Sequence, residues 1–481
     1  MTKLSGIKPE KVFEYFEKIC EIPHGSENMS KISAFCIEFA KKHSLKYYTD
    51  ANNNVVIYKN GSAGYEDSEP IILQGHLDMV CQKTEDADLD FSTDGLDLFV
   101  DGDMIGAKDT TLGADNGIAV AMVLSILSSN DIEHPPIEAV FTTDEEIGMI
   151  GALGLDMSVL RSKRMINLDS EEDNTVTVSC AGGSELSAKL PLITKKSSGM
   201  KAELIIKGLR GGHSGVEINS GRVNASILAG RILSELDCQS FEIISVFGGD
   251  KSNAITNSFS AELCVNDFKS FKSDFTTISG IIKREISTRE PDFTAEVRLQ
   301  SEQTGEFYVF DDSLKDDVIF TLCCCPNGVM EMSREINELV ETSLNLGIVK
   351  TTDDFVSFNC ALRSNKMSTL DALEHKLIRF FSKTSAKTEI FGKYPAWEYN
   401  SNSLLQNVYK TVYKNNIGEE PNVEAIHAGL ECGVFSSQIE GIDCIAIGPQ
   451  LYDVHTVNER LSISSTVKFY KILIDILKTL K

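Results

Sequence analysis

Nothing in this 481-residue sequence approaches the run of about 18 apolar residues that a membrane-spanning helix needs. The opening stretch MTKLSGIKPEKVFEYFEKIC reads as an amphipathic helix and lacks the unbroken apolar core of a secretion signal. No C-x-x-C pair occurs, and the twelve cysteines, including the run Cys323-Cys324-Cys325, follow no regular spacing. That excludes a disulfide framework and a cysteine zinc module. It fits a reduced cytoplasm in which thiols serve as small buried apolar groups. Positive charge is scarce: 46 Lys+Arg against 71 Asp+Glu leave a net charge of −25. Such a chain repels phosphate backbones and anionic lipid, so neither nucleic acid nor a membrane surface is an expected partner. Gly248-Gly249 lacks the flanking Gly and Lys-Ser/Thr of a phosphate-binding loop, and no internal repeat is convincing.

What is present is an ordinary globular composition, 42% apolar and 24% charged, long enough for several domains with separate cores. The first 180 residues alternate helical and strand patterns, the mark of a layered α/β domain. Residues 9–42 are mostly helical, with a break at Pro23-His24-Gly25; 54–58, 70–75, 137–143 and 165–168 read as buried strands. A helix from about Ile118 to Leu127 follows Asp115-Asn116-Gly117. Beyond residue 186 the chain offers a strand at 201–207, the glycine-rich turn Gly211-Gly212-His213-Ser214-Gly215, and a helix from 222 to about 236. Strands and helices continue to 400 without metal-ligand spacing. A helix near 404–414, a strand at 442–449 and a last amphipathic helix close the chain. The economical reading is one α/β domain (residues 1–186 and 401–481) interrupted by an insertion at 187–400, itself long enough for two small αβ units.

Several buried strands run straight into charged side chains. His76 and Asp78 follow the 70–75 strand, Glu145 and Glu146 the 137–143 strand, Asp169 the 165–168 strand, and His455 lies beyond the 442–449 strand. In open α/β sheets, ligands gather outside the carboxyl ends of the strands. His76, Asp115, Glu146, Asp169 and His455 together offer imidazole nitrogens and carboxylate oxygens, which suit zinc, cobalt or manganese. Two metals need one bridging carboxylate and terminal ligands for each, and this set supplies that count. Asp78, two residues beyond His76, is placed to fix the imidazole tautomer. Glu145, beside a ligand, is placed to carry the proton of an attacking water. Taken singly, each has a plainer reading: Asp115 a helix cap, Glu145 and Glu146 a solvated turn, His76 a structural histidine. Their coincidence at strand ends is what points to a metal site.

Four segments carry a resemblance: Gly75-His76-Leu77-Asp78-Met79-Val80, Gly113-Ala114-Asp115-Asn116-Gly117-Ile118-Ala119, Thr142-Thr143-Asp144-Glu145-Glu146-Ile147-Gly148 and Asn167-Leu168-Asp169-Ser170-Glu171. With Leu209-Arg210-Gly211-Gly212-His213-Ser214-Gly215 and His427-Ala428-Gly429-Leu430-Glu431-Cys432-Gly433, they closely resemble the aminoacyl-histidine dipeptidases, also called Xaa-His or cytosolic non-specific dipeptidases, of the dinuclear zinc aminopeptidase/carboxypeptidase superfamily. The likeness runs essentially end to end.

The resemblance implies a zinc-exopeptidase-like catalytic domain, α/β with a mixed central sheet between helices, plus an inserted α+β lid domain. It implies a cytoplasmic metallopeptidase that hydrolyses dipeptides, Xaa-His among them, through a water bridging two divalent metals, zinc first and cobalt or manganese also suited. His76 and Asp169 would hold one ion, Glu146 and His455 the other, with Asp115 between them across a cis Asp115-Asn116 bond. Glu145 would be general base and acid. His213 and Asn253 would face the oxyanion, Arg363 the terminal carboxylate, and Gly429 would line the pocket. The expected partner is a small peptide substrate, and a homodimer is open. A tripeptidase, carboxypeptidase or N-acyl-amino-acid deacylase would share this chemistry, and a non-catalytic peptide binder would be expected to have lost a ligand or Glu145. His24, His43, His134 and His375 are expected in core or surface roles, and Cys81 as a buried thiol. His427 and Glu431, at helical i, i+4 spacing, could form a ligand pair, though the resemblance reads them as pocket wall.

Overall fold

The computed structural model describes residues 3–481. The chain falls into two compact units: Met1–Cys180 with Trp397–Ala425 and Leu430–Lys481, and Ala181–Ala396 with Ile426–Gly429. The first crossing lies a few residues before the 186/187 boundary read from the sequence. The cause is pairing: the Gly182–Pro191 strand runs along Phe355–Ser364 over its whole length and belongs to the second unit's sheet. On the return, Trp397 bridges to Cys180 and belongs to the first.

The first unit is built on an eight-stranded sheet. Its order is Lys46–Thr49, Val55–Lys59, Ile137–Thr142, Ile71–His76, Arg164–Asn167, Asp443–Ala446, Thr175–Cys180 and Asn422–Ile426. The middle strands are parallel: Ile71–His76 pairs with both Ile137–Thr142 and Arg164–Asn167, and Asp443–Ala446 continues the parallel run. Val55–Lys59 pairs antiparallel with both Lys46–Thr49 and Ile137–Thr142, and Thr175–Cys180 is antiparallel to Asp443–Ala446, so the sheet is mixed. Parallel strands are covered on both faces, which is why these read as continuous apolar runs rather than alternating ones. Ile71, Ile72, Leu73, Val140, Phe141, Met165 and Ile166 are all fully buried. Each such side chain is worth about 1.5–3 kcal/mol on burial.

The helix Ala114–Ser128 is buried along nearly its whole length, as its Ala, Val, Leu and Met content requires, and becomes regular only after Asn116. The opening amphipathic pattern forms the helix Glu10–Cys20, shorter than the sequence suggested; Met1 and Thr2 lie outside the described residues. A small four-stranded sheet, Leu451–Tyr452, Arg460–Ser462, Met104–Ala107 and Leu98–Asp101, joins the two segments that flank the Asp115 loop and His455.

The second unit is one sheet of ten strands, not two separate αβ units as the insertion's length suggested. The long strands Thr194–Lys207, Phe259–Val265 and Phe241–Gly248 form one half, and Val340–Thr351, Phe355–Ser364, Gly182–Pro191 and Lys387–Tyr394 the other. The halves meet through only two residue pairs, Phe247 with Lys350 and Gly248 with Val349. A single apolar cluster spans both, from Leu186 and Leu204 through Phe275 and Leu322 to Leu362 and Phe381, so they cannot fold as independent cores. Among the described residues, no helix is long and apolar enough to cross a membrane.

Candidate metal centre and active site

Because the central strands are parallel, their carboxyl ends share one edge of the first unit's sheet, and that edge carries the charged side chains. His76 is the last residue of its strand and is 1% exposed. Gly75 before it must be glycine: a Cβ there would stand 2.3 Å from Asn116 Oδ1. That oxygen accepts the His76 N–H at 3.3 Å, while Asn116 Nδ2 donates to Leu168 O at 2.9 Å and to Asp169 Oδ1 at 3.0 Å. One amide thus ties together the ends of the strands that lead to His76 and Asp169. The Asp115–Asn116 peptide is cis, as the resemblance implies.

Asp115 stands between the two histidines. Its Oδ1 is 3.1 Å from His76 Nε2 and its Oδ2 is 3.1 Å from His455 Nε2. Asp169 Oδ1 is 3.5 Å from His76 Nε2, and Glu146 Oε1 is 2.9 Å from His455 Nε2. The five residues therefore converge as two overlapping sets, His76/Asp169 and Glu146/His455, sharing Asp115. Ligand atoms of His76, Asp115 and Glu146 all lie within 4.8 Å of one another.

The remaining contacts fix the orientation of these groups. His76 Nδ1 lies 3.0 Å from the Asp78 backbone carbonyl and 3.4 Å from its Oδ1. The carbonyl, rather than the carboxylate expected from the sequence, is the closer acceptor. The Asp78 carboxylate instead accepts the backbone N–H groups of Glu145 at 3.0 Å and Glu146 at 3.2 Å, and the Ser26 hydroxyl at 2.9 Å. Either way Nδ1 carries the proton, so in a neutral ring Nε2 presents a lone pair to the Asp115 carboxylate. Two acceptors 3.1 Å apart repel unless a proton or a cation lies between them.

The charge balance says the same. Burial opposes a charge on His76, but Asp169 and Asp115 outweigh it and raise its pKa well above that of free imidazole. Asp115 and Glu146 lift His455 to about 11. Burial works against ionising Asp115, yet the two imidazoles hold its carboxyl far below the usual carboxylate range. Burial, with Asp115 and neighbouring acids, pushes Asp169 up to about 6. Glu145 is driven well above its ordinary value, chiefly by burial and further by Asp169, Glu431 and Glu146. A buried excess of carboxylates around two lone-pair nitrogens calls for added positive charge, and nitrogen with carboxylate oxygen is the donor set that zinc, cobalt and manganese accept. The residues fit a metal site.

His213, Asn253, Arg363 and Gly429 all belong to the second unit. The turn bearing His213 pairs with Ala254–Ile255, and Ser214 N–H donates to Asn253 O at 2.9 Å, so these two segments are held side by side. His213 Nδ1 accepts N–H groups from Gly215 at 3.2 Å and Val216 at 3.1 Å, which leaves Nε2–H as a fixed donor. Burial, then Arg363, keeps this ring below the usual imidazole pKa. Arg363 Nη1 donates to Tyr394 Oη at 2.7 Å, while its buried Nε has no partner. Gly215 allows the convergence: a Cβ there would lie 2.9 Å from His213 Cε1, 3.2 Å from Arg363 Nε and 2.5 Å from His427 O. Asn253 is exposed. Gly429 lies in a connection held where Ala181 N–H donates to Ile426 O at 3.1 Å and Ala428 O at 3.0 Å.

Residues 72–479 match the sequence profile of Peptidase family M20/M25/M40. The chain belongs to that family. It is 36% identical over 99% of its length to the cytosol non-specific dipeptidase of Escherichia coli, itself covered over 99%. It superposes on the crystal structure of aminoacylhistidine dipeptidase from Vibrio alginolyticus with a TM-score of 0.91 at 33% identity, covering 99% of this chain and 98% of that one. A tripeptidase from Staphylococcus aureus shares the fold, with a TM-score of 0.53 at 18% identity over 98% and 99% of the two chains.

Within this M20 chain, Glu431, which the sequence offered as a partner of His427 or as pocket wall, takes a different place. Glu431, 0% exposed, accepts from Gln74 Nε2 at 2.5 Å and Thr142 Oγ1 at 2.8 Å, directly behind the ligand-bearing strand ends. Burial raises it to about 7. It does not pair with His427: the helix starts only at Glu431, so the two never share a helical face. His427 is enclosed in the second unit, with Nε2 2.7 Å from Ser343 Oγ and Nδ1 3.2 Å from Asn365 Oδ1. Burial, then Arg363, takes it down to about 3, so it is a neutral wall. Cys81, raised to about 11 by burial, is no nucleophile. Asn116, Ser26 and Tyr394 could have been found only by knowing which strands are neighbours.

Proposed function

We propose that this chain is a metal-dependent dipeptidase of the cytoplasm that hydrolyses dipeptides, Xaa-His among them. The observation that carries the reading is the Asp115 carboxylate lying between two imidazole Nε2 atoms at 3.1 Å each, with Glu146 and Asp169 completing the two sets. High identity over the whole length to a dipeptidase of Escherichia coli supports the substrate class.

In this reading His76 and Asp169 would hold one divalent ion and Glu146 and His455 the other, with Asp115 shared by the two sets. The mixed nitrogen and oxygen donors favour zinc, with cobalt or manganese as substitutes. When bound, such a pair supplies Lewis acidity, polarising a carbonyl and acidifying water. The chain's own groups do the rest. Asp78 pins the backbone of Glu145 and Glu146, which fixes where the Glu145 carboxylate points. Glu145 takes the proton from the attacking water and returns it to the departing amine. Its raised proton affinity suits both halves of that transfer. His213, neutral and donating through Nε2–H, stabilises the oxyanion, a contribution of about 2.7–4 kcal/mol in comparable sites, with Asn253 as a second donor. Arg363, anchored by Tyr394 on one side of its fork, receives the dipeptide carboxylate, and the Gly429 backbone contacts the substrate.

The test is turnover of Gly-His, β-Ala-His, a tripeptide and an N-acetyl amino acid, with metal content measured before and after chelation. Dipeptide turnover that is lost on chelation and restored by zinc is the expected result. Preference for the tripeptide or the acylated amino acid would overturn the substrate class.

A further inference from the structure

We infer that Glu459 is a positioning residue for the metal centre: its carboxylate seats the loop that carries Asp115 and locks it to the segment that carries His455. The inference rests on the metallopeptidase reading and assigns a role to a residue that makes no contact with substrate or metal in it.

Glu459 is 2% exposed. Its Oε2 accepts the N–H of Leu112 at 2.7 Å and of Gly113 at 3.1 Å, and its Oε1 accepts those of Ala114 at 2.9 Å and Asp115 at 3.3 Å. Four successive backbone donors can converge on one carboxylate only where the chain curls, and Gly113, at φ +67°, supplies the left-handed turn. Successive N–H groups in such a curl form an anion-binding concavity. Here the anion comes from the chain itself. A side chain at Gly113 would also be blocked, since its Cβ would stand 2.8 Å from Met79 Sδ.

The carboxylate is held from both sides. Glu459 N–H donates to Thr456 O at 3.1 Å, closing the turn after His455. The next strand, Arg460–Ser462, pairs with Met104–Ala107, which leads into the Asp115 loop. Glu459 therefore ties the turn of His455 to the loop of Asp115, two candidate ligands 340 residues apart in sequence. A plain buried cap would contribute only stability. A positioning residue also sets the distance between Asp115 and His455, and so the affinity of the site. Partners that orient metal ligands typically change metal affinity by about 10–100-fold when altered.

Glu459→Gln separates the two. The amide has the same shape but turns one acceptor into a donor that faces two backbone N–H groups. Full-length wild type and variant are stripped of metal, and zinc affinity is measured by competition with a chromophoric chelator. Melting temperature and the kcat and KM for Gly-His are measured alongside. The expected result is a folded variant with zinc affinity lowered about 10–100-fold for at least one ion, a lowered kcat at limiting zinc that recovers at excess zinc, and little change in KM. Wild-type affinity and kcat with only a lowered melting temperature would overturn the inference. Should Glu459→Gln not fold, Glu459→Asp keeps the charge but withdraws it by one methylene; a smaller loss of affinity is expected there, and unchanged affinity would again overturn it. A wild type that binds no divalent ion and cleaves no dipeptide would instead bring down the functional reading beneath it, a distinct result.

Discussion

Two histidines, one in each unit, show how the same side chain is put to opposite uses. His455 sits against Asp115 and Glu146 and is lifted to about 11, whereas His427, buried and near Arg363, falls to about 3. In the first unit burial, and then neighbouring carboxylates at the ends of parallel strands, lifts Glu431 and Glu171 to about 7. In the second, burial and then the Arg363 guanidinium make His213 and His427 give protons up. A cluster of the first kind attracts cations, and one of the second kind attracts anions.

The largest effect should come from breaking the first cluster's chemistry without emptying it. Glu145→Gln removes the proposed proton carrier but none of the proposed ligands, so kcat for Gly-His should fall about 10²–10⁴-fold. Metal content by elemental analysis should be unchanged; near-normal turnover would take Glu145 out of the mechanism. The second cluster is broken by Arg363→Lys, which keeps the charge but loses the fork that matches a carboxylate. There kcat/KM should fall about 10–100-fold, mostly through KM, again with full metal content.

The contrast in proton affinity sharpens into opposite pH slopes in the metal-stripped protein. Glu431, raised from 4.5 to about 7 by burial, keeps a proton that the unfolded chain releases. Stability of the first unit should therefore fall as pH rises from 4.5 towards 7. His427, lowered from 6.5 to about 3, refuses a proton that the unfolded chain takes up. Stability of the second unit should fall as pH drops through 6.5. Between pH 4.5 and 6.5, hydrogen-exchange protection factors should move in opposite directions in the two units, each by roughly 2 kcal/mol. Parallel slopes would show that the two environments are not as different as described. The smallest effect is expected from Tyr394→Phe, which frees Arg363 Nη1 from its 2.7 Å anchor. KM should rise about fivefold, worth about 1 kcal/mol, with kcat nearly constant.

All five residues of the centre were named from the sequence, but only for those built on strands was their placement legible too. His76, Glu146 and Asp169 follow apolar runs long enough to be read as buried parallel strands, and such strands end on a common edge. Asp115 and His455 stand on loops, and what holds those loops is written far away. Glu459 reaches N–H groups more than 340 residues earlier, and accepting backbone hydrogen bonds requires no companion side chain that a motif could display. The small sheet that brings the two loops together has strands of two to four residues, too short for any periodicity. In the second unit alternation marked individual strands, as at 201–207. Their order was hidden, because Gly182–Pro191 pairs with Phe355–Ser364 across most of the insertion.

The division of the chain also sets an order of assembly. Every strand of the ten-stranded sheet has been synthesised once residue 394 is made, so the second unit can fold before the first is complete. The eight-stranded sheet waits for Asp443–Ala446, and the centre itself waits for His455 and the helix Ile463–Thr479. A newly made chain of this design therefore lacks His455, and with it one of the two candidate ligand sets, until translation is all but finished.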